Sequence, residues 1–204
     1  MIYVIGDIHG CLEPLKQLMG MVNPGEGDQL IFLGDYIDRG PDPKGVVEYL
    51  LSLKGNPVFL MGNHERMFLD YLEGRNRLLY LLNGGGSTLR GYGDASMIPA
   101  DHLRFFKSLR LYYEAGHYLF VHAGLKPGLP LEDQGPEDLL WIRGEFISYP
   151  GRYPKTIVFG HMPMPEVLML PDRIGIDTGC VYGGKLTCLV LPSQELIQVK
   201  NRWA

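Results

Sequence analysis

The sequence has no apolar run long enough to cross a membrane, which takes roughly 18 consecutive residues. Its first residues, MIYVIG, lack a basic segment and reach Asp7 almost at once, so they do not resemble a secretory signal peptide. Cysteine is scarce as well, because three widely spaced residues, an odd number, make a poor disulfide framework. These absences predict a cytoplasmic protein that does not associate with a membrane.

Basic residues are in slight deficit: 19 Lys and Arg against 23 Asp and Glu, a net charge of −4. Proteins that wrap nucleic acid usually carry a basic excess, so there is no strong nucleic-acid signal. What is present, 46% hydrophobic and 21% charged residues, is typical of a globular protein with a substantial core. No repeat or linker divides the 204 residues, so we expect one domain over residues 1–204.

Short apolar runs recur along the chain, and five of them end at a polar residue. They are YVIG before Asp7, IFLG before Asp35, VFLMG before Asn63, YLFV before His122 and IVFG before His161. Runs this short, rich in β-branched and aromatic residues, predict buried strands. Helical spacing over 11–22 and 44–53, with a third helix from Asn63, separates the first three strands. This alternation predicts a parallel α/β unit with right-handed crossovers.

The remaining segments are less regular. Composition predicts a loop at 83–93 (NGGGSTLRGYG), helices at 101–111 and 137–147, and strands at 156–160, 174–177, 186–191 and 195–199. His102 and His117 belong to no motif, and we expect them at the surface or at a strand end.

Polar residues at the carboxyl ends of parallel strands lie where open α/β sheets keep their functional sites. Six such residues share the chemistry of ligands for manganese, iron or zinc: Asp7, His9, Asp35, Asn63, His122 and His161. Six ligands, with a carboxylate able to bridge, indicate two ions rather than one. Two ions about 3.5–4 Å apart are a recurrent apparatus for phosphoester hydrolysis.

The motifs that carry these residues are rare by chance. From the composition, Gly-Asp-x-His-Gly is expected only about 0.006 times and Gly-Asp-x-x-Asp-Arg-Gly about 0.0007 times, yet both occur. In order, GDIHG, GDYIDRG, GNHE, HAG and GH resemble the calcineurin-like metallophosphoesterases, and within them the phosphoprotein phosphatases and their bacterial relatives. The resemblance implies an α/β fold, a four-layer α/β/β/α sandwich with two central mixed sheets, forming one catalytic domain over 1–204.

The resemblance also implies a role for each motif residue. Asp7 and His9 would hold the first metal, Asp35 would bridge, and Asn63, His122 and His161 would hold the second. His64 would be the general acid, oriented by Asp38, while Arg39 and Arg143 would bind phosphate. Manganese is the expected metal, with iron or zinc as alternatives, and a hydroxide bridging the two ions would attack phosphorus in line.

Several of these residues have simpler interpretations. Asn63 could cap the helix that follows it, and Glu65 suits the first turn of that helix. Arg143, expected on a helix, could pair with Glu145 or Asp138 instead of phosphate. Asp177, which follows another apolar run, is better explained by a tight Asp-Thr-Gly turn than as a metal ligand.

Two substrate classes remain open, both implied by the resemblance. The leading expectation is a serine/threonine protein phosphatase, because GDYIDRG keeps the Asp-Arg pair that symmetric-cleaving diadenosine tetraphosphatases usually replace with a GDLVARG-like sequence. The alternative is a bis(5'-nucleosyl)-tetraphosphatase that hydrolyses diadenosine tetraphosphate, in which Tyr182 could stack on an adenine or simply pack against a turn. The expected partner is therefore a phosphoprotein or a small nucleotide phosphoester. A binding module with a purely structural metal site is the weaker hypothesis, because such a site needs neither His64 nor Arg39.

Overall fold

A computed structural model describes residues 1–93 and 95–202. Ten strands run through it: β1 (Ile2–Ile5), β2 (Gln29–Phe32), β3 (Val58–Phe59), β4 (Tyr112–Ala115), β5 (Tyr118–Val121), β6 (Thr156–Phe159), β7 (Leu168–Leu170), β8 (Arg173–Gly175), β9 (Lys185–Leu191) and β10 (Glu195–Lys200). The α-helices are α1 (Leu12–Val22), α2 (Pro43–Ser52), α3 (Asn63–Leu72), α4 (Arg77–Tyr80), α5 (Gly86–Tyr92), α6 (Ala100–Ser108), α7 (Pro136–Trp141) and α8 (Gly144–Ser148).

Capping residues explain where the first crossover helix ends and where the second begins. The α1 helix buries Leu15, Leu18 and Val22 on one face and is followed by Asn23, whose φ of 41° is left-handed. The α2 helix begins after Asp42, whose side chain accepts a hydrogen bond from Gly45 N, and has a proline at its first position.

The strands form two mixed five-stranded sheets. The first has the order β10-β9-β1-β2-β3, with β1, β2 and β3 parallel and β9 antiparallel to β1. The second has the order β4-β5-β6-β8-β7, with β5, β6 and β8 parallel. The predicted parallel unit over the first three strands is therefore confirmed.

The two sheets pack face to face because successive side chains of a strand point to opposite sides. In β1, Val4 joins an apolar cluster with Phe120 and Val158 of the second sheet, whereas Ile5 faces the other way. Ile5 belongs to a second cluster, which includes the buried faces of α1, α2 and α3, and a third cluster packs α7 and α8 on the outer face of the second sheet. The layers are thus helix, sheet, sheet, helix, and the predicted fold class is confirmed.

Segment 83–93 is largely helical, so its prediction as a loop was wrong. A π-helical turn (Leu81–Gly85) runs directly into α5. Tertiary contacts override the poor helix propensity of its glycines, because Thr88 donates a hydrogen bond to Asp38 and Tyr92 is buried. The Tyr92 hydroxyl bonds His102 Nδ1 at 2.7 Å. His102 is buried within α6, so the expectation that it lies at the surface or at a strand end was also wrong. His117, in contrast, is exposed.

Other boundaries also differ from the sequence-based expectation. The helix predicted over 137–147 is two helices, α7 and α8, separated at Arg143, whose φ of −132° and ψ of −115° are not helical. The helix predicted over 101–111 ends at Ser108. Strands β4 and β7 were not predicted, because both are edge strands with little burial and therefore lack a long apolar run.

Over residues 1–93 and 95–202, none of the helices combines the length and the hydrophobicity that spanning a bilayer would demand.

Candidate metal centre

The motif residues meet at one edge of the sandwich. Asp7 follows β1, Asp35 follows β2 and Asn63 follows β3 in the first sheet, while His122 follows β5 and His161 follows β6 in the second. All five strands run parallel to a neighbour within their own sheet, so their carboxyl ends bring these side chains together. All six predicted ligands are buried, with 5% exposure or less.

Two groups of side chains have ligand atoms close enough to share an ion. One consists of His9, Asp35 and His64, and the other of Asp35, His122 and His161, with all atoms of a group within 4.8 Å of one another. Asp35 belongs to both groups. Its Oδ2 lies 3.4 Å from His9 Nε2 and its Oδ1 lies 3.5 Å from His122 Nε2.

These contacts bring unprotonated atoms together. His9 Nδ1 bonds the carbonyl of Ile37 at 2.8 Å and His122 Nδ1 bonds that of Leu33 at 2.9 Å. A carbonyl only accepts, so each Nδ1 carries the proton and each Nε2 of a neutral ring presents a lone pair to Asp35. Burial lowers the pKa of His9 to about 3, and it also lowers the pKa of His122, so both rings are neutral at pH 7. Converging lone pairs of this kind fit a bound cation, and the Nδ1–H to carbonyl bond is the usual support of a ligating histidine.

Asn63 and His161 complete the second group. Asn63 Oδ1 lies 2.9 Å from His122 Nε2 and 3.0 Å from His161 Nδ1. Asn63 is the first residue of α3 and does not cap it; the Glu65 carboxylate takes the N–H of the preceding Gly62 instead. Burial lowers the pKa of His161 to about 2, and its Nε2 is buried without a hydrogen-bond partner. An orphaned buried nitrogen is costly unless something binds it, which also fits a metal ion.

Asp7 lies beside these groups rather than within them. Both of its carboxylate oxygens accept the backbone N–H of His161, at 3.2 and 3.1 Å. Burial and the charges of Asp177 and Asp35 raise its pKa well above the usual range. A cation would offset this concentration of buried carboxylates and stabilise their ionised forms.

Asp177 was expected only to form a turn, but its side chain also lies close to the metal centre. Its Oδ1 accepts the N–H of Gly179 at 3.0 Å, so the expected Asp-Thr-Gly turn is present. The side chain is nevertheless buried close to the centre: burial raises its pKa to about 6, and Arg39 and Arg143 act on it electrostatically. Its position after the short strand β8, in the same pattern as the other ligands, was the available signal.

His64 is held by a buried chain of hydrogen bonds. Its Nδ1 donates to Asp38 Oδ2 at 2.7 Å, while Tyr80 and Thr88 donate to Asp38 Oδ1 at 2.7 and 2.6 Å. Thr88 Oγ1 in turn accepts the N–H of Asp38 at 3.0 Å. The opposite nitrogen, His64 Nε2, has no hydrogen-bond partner and lies 4.0 Å from Asp35 Oδ2. Thr88 was missed because the segment that carries it was expected to be a loop, and Tyr80 was missed because it belongs to no motif.

Glu65 is a structural clamp on the loop after β2. Its carboxylate accepts the N–H groups of Asp35 (2.9 Å), Tyr36 (2.8 Å) and Ile37 (3.3 Å), in addition to that of Gly62. Four donors on one buried side chain fix the turn that presents Asp35 to the centre.

The backbone of the centre is strained at several positions. Five residues that are not glycine have a left-handed backbone: His9 (φ 46°), Asp35 (52°), Asp38 (70°), Arg39 (65°) and His161 (65°). Such conformations cost about 1–3 kcal/mol each and collect at functional sites. The adjoining glycines are required by space, since a Cβ at Gly62 would overlap the Asp35 carboxylate and one at Gly160 would overlap that of Asp7.

Two arginines approach the cluster from different sides. Arg39 donates through Nη1 to His9 Nε2 at 2.6 Å, and its guanidinium stacks 5.8 Å from the centroid of the exposed Tyr182 ring. Arg143, exposed in the break between α7 and α8, acts electrostatically on His122 and His161. Among the residues the structure describes, no carboxylate forms an ion pair with Arg143, and Asp138 accepts the N–H of Gly135 instead.

A two-sheet sandwich that gathers histidines, carboxylates and an amide at one edge, flanked by arginines, defines a class of metal-dependent hydrolases that act on phosphoester bonds. A family model described as calcineurin-like phosphoesterase matches residues 1–188, and the chain belongs to this family.

Individual relatives carry different names. The chain is 29% identical to the asymmetrical bis(5'-nucleosyl)-tetraphosphatase PrpE of Oceanobacillus iheyensis, over 98% of this chain and 92% of that protein. It is 32% identical to serine/threonine-protein phosphatase 1 of Salmonella typhimurium, over 91% and 89%. A solved structure provisionally assigned as a diadenosine tetraphosphatase superposes with a TM-score of 0.79 at 29% identity, covering 100% of this chain and 94% of that one.

Proposed function

We propose that the protein is a metal-dependent bis(5'-nucleosyl)-tetraphosphatase that splits a dinucleoside tetraphosphate asymmetrically, adding water to give a nucleoside triphosphate and a nucleoside monophosphate. In this proposal two divalent ions, Mn²⁺ foremost with iron or zinc as alternatives, would be held by Asp7, His9, Asp35, Asn63, His122 and His161. The position of Asp35 between the two groups supports its role as the bridging ligand.

The bound ions would lower the pKa of a water and neutralise charge on the phosphoryl oxygens. The chain supplies the other functions. Arg39 and Arg143 have planar guanidinium groups that match the equatorial oxygens of a phosphoryl group in transfer. As the bond from phosphorus to the leaving oxygen breaks, His64 Nε2 donates a proton to that oxygen. Asp38 keeps the other nitrogen of His64 protonated and the ring fixed.

One observation carries the choice of a nucleotide: Tyr182 is 63% exposed and its ring lies against Arg39 at the rim of the centre. A large exposed aromatic ring next to a phosphate-binding arginine provides a stacking surface for a nucleobase. Similarity to the asymmetrical tetraphosphatases over nearly the whole chain supports the same choice.

A protein phosphatase is the second candidate, favoured by the His64–Asp38 pair. A serine or threonine leaving group is a poorly stabilised alkoxide and needs a proton, whereas the phosphate released from an anhydride needs one much less. The preserved Asp38–Arg39 sequence and the relative in Salmonella typhimurium support this candidate.

The deciding experiment is a comparison of kcat/KM for diadenosine tetraphosphate and a phosphoserine peptide on the Mn²⁺-loaded enzyme. We expect a strong preference for the dinucleotide, with ATP and AMP as products. A strong preference for the peptide would contradict the proposal in favour of the second candidate. Two molecules of ADP as products would contradict the asymmetrical cleavage.

A further inference from the structure

A cavity of about 500 Å³ opens beside the metal centre. It is lined by Arg39 and Gly40 from the loop before α2, by Ser87 and Arg90 from α5, and by Val181 from the turn after β8. Cavities of this size accommodate small-molecule ligands. Arg39 is shared between the two sites, because it lines the cavity and also bonds His9 Nε2 at 2.6 Å. A substrate held at the metal centre can therefore extend into the cavity.

The charged side chains that line the cavity are arginines. Arg39 and Arg90 both line it, and no aspartate or glutamate does so among the residues that the structure describes. Within that same part of the chain, no carboxylate lies close enough to Arg90 to form an ion pair, although the side chain is exposed. Two guanidinium groups on one small cavity, with no carboxylate among its described lining residues, favour an anion with several charged oxygens.

The position of Arg90 is set by the same segment that supports the centre. The N–H of Arg39 donates to the carbonyl of Gly84 at 3.1 Å, and Thr88 on α5 bonds Asp38. Arg90 lies on the exposed side of the same helix, half a turn after Thr88. The contacts that fix Asp38 thus also hold the backbone of α5, which carries Arg90, against the loop that carries Arg39.

We propose that this cavity binds the phosphates of the substrate that lie beyond the phosphoryl group under attack, with Arg90 as their principal ligand. This inference rests on the proposed function, since a polyphosphate chain carries further charged groups beyond the reacting phosphorus and a phosphomonoester does not. Arg90 then contributes to selection of a polyphosphate over a monoester.

The test is direct binding to the Mn²⁺-loaded enzyme, measured by calorimetry with AMP, ADP and the α,β-methylene analogue of ATP, in which carbon replaces the oxygen of the anhydride next to the nucleoside monophosphate. We expect Arg90→Ala to weaken binding of the triphosphate analogue roughly 10-fold and that of AMP roughly 2-fold or less, with ADP between them. Arg90→Lys keeps the charge but not the paired N–H donors of the guanidinium group, so it should give an intermediate loss of affinity. Arg104→Ala, which removes another exposed helical arginine outside the cavity, is the matched control and should leave all three affinities unchanged.

Losses that do not grow with the number of phosphates, or no loss, would overturn the subsite. The subsite would also be overturned if Arg90→Ala raised KM only for an acidic phosphopeptide, because the cavity would then serve a protein substrate.

Failure of the proposed function is measured separately, by the activity of the wild-type enzyme. An enzyme that does not hydrolyse diadenosine tetraphosphate but loses triphosphate affinity in Arg90→Ala keeps the subsite and loses the function. An enzyme that hydrolyses it with an unchanged KM in Arg90→Ala keeps the function and loses the subsite.

Discussion

The imidazole of His64 and the carboxylate of Asp38 form a fully buried pair, with Nδ1 2.7 Å from Oδ2. Because Asp38 accepts hydrogen bonds from three side chains, it cannot turn away from His64 without leaving a hydroxyl of Tyr80 or Thr88 unpaired. The pair therefore directs His64 Nε2 towards Asp35 and the cluster with little freedom.

Replacing His64 tests whether this nitrogen acts on the leaving group or on a metal ion. A general acid typically contributes about 10²–10⁴-fold to the rate, so His64→Asn should lower kcat by that order on an alkyl phosphate. The loss should be much smaller on p-nitrophenyl phosphate, whose leaving group needs no proton. The metal content, measured by mass spectrometry, should equal that of the wild type. Loss of one metal per chain would make His64 a ligand, as its place beside His9 and Asp35 also allows.

Thr88 is expected to position Asp38 from α5. Thr88→Val keeps the shape but removes the hydrogen bond to the carboxylate and leaves the N–H of Asp38 unpaired. We expect a loss of about 1–3 kcal/mol in the free energy of unfolding, measured by urea denaturation, together with a reduced kcat.

Thr88→Ser is the control, because it retains the hydroxyl and should recover most of both losses. The reduction in kcat should again be largest for substrates with poor leaving groups. A change that is uniform across leaving groups would show that Thr88 supports only the fold.

The candidate metal ligands could be predicted from the sequence, whereas the residues that hold them in place could not. The six candidate ligands stand at the ends of short apolar strands, and parallel strands bring such ends to one edge, so their proximity was predictable. The helix over 86–92 was not predictable, because glycine has a low helix propensity and the helix is stabilised by contacts with residues outside it. Thr88 bonds Asp38, 50 positions away, and Tyr92 bonds His102, 10 positions away. The clamp formed by Glu65 was hidden for the same reason: it acts on a loop some 30 residues earlier.

Asp35 belongs to both candidate metal groups, so its substitution should affect both. Asp35→Asn keeps the size and the hydrogen bond from His64 N but removes the charge that the ions share. We expect the purified variant to lose both metals and its activity to fall to background. Glu195→Gln, a charge removal at an exposed position in β10, is the control and should keep both metals. Retention of most of the metal in Asp35→Asn would disprove the bridging role.

Arg143 lies in the break between two helices and acts electrostatically on His122 and His161, and its substitution tests whether it binds phosphate. Arg143→Ala should weaken competitive inhibition by inorganic phosphate roughly 10-fold, because a charge-assisted bond to the anion is lost. Arg152→Ala, at another exposed arginine outside the motifs, should leave the inhibition constant unchanged. An unchanged inhibition constant in Arg143→Ala would remove Arg143 from the site and leave Arg39 as the phosphate ligand.

Tyr182 offers the sharpest distinction between a nucleotide and a protein substrate. If its ring stacks on a nucleobase, Tyr182→Ala should raise KM for diadenosine tetraphosphate roughly 10-fold, since stacking on an aromatic side chain contributes about 1–3 kcal/mol per base. Tyr182→Phe keeps the ring and should leave KM nearly unchanged, although it removes the hydroxyl. The ring also contacts Arg39, so p-nitrophenyl phosphate, which has no base, must be measured in parallel. An equal loss on both substrates would mean that Tyr182 only supports Arg39, and the proposal of a nucleotide substrate would lose the observation that carries it.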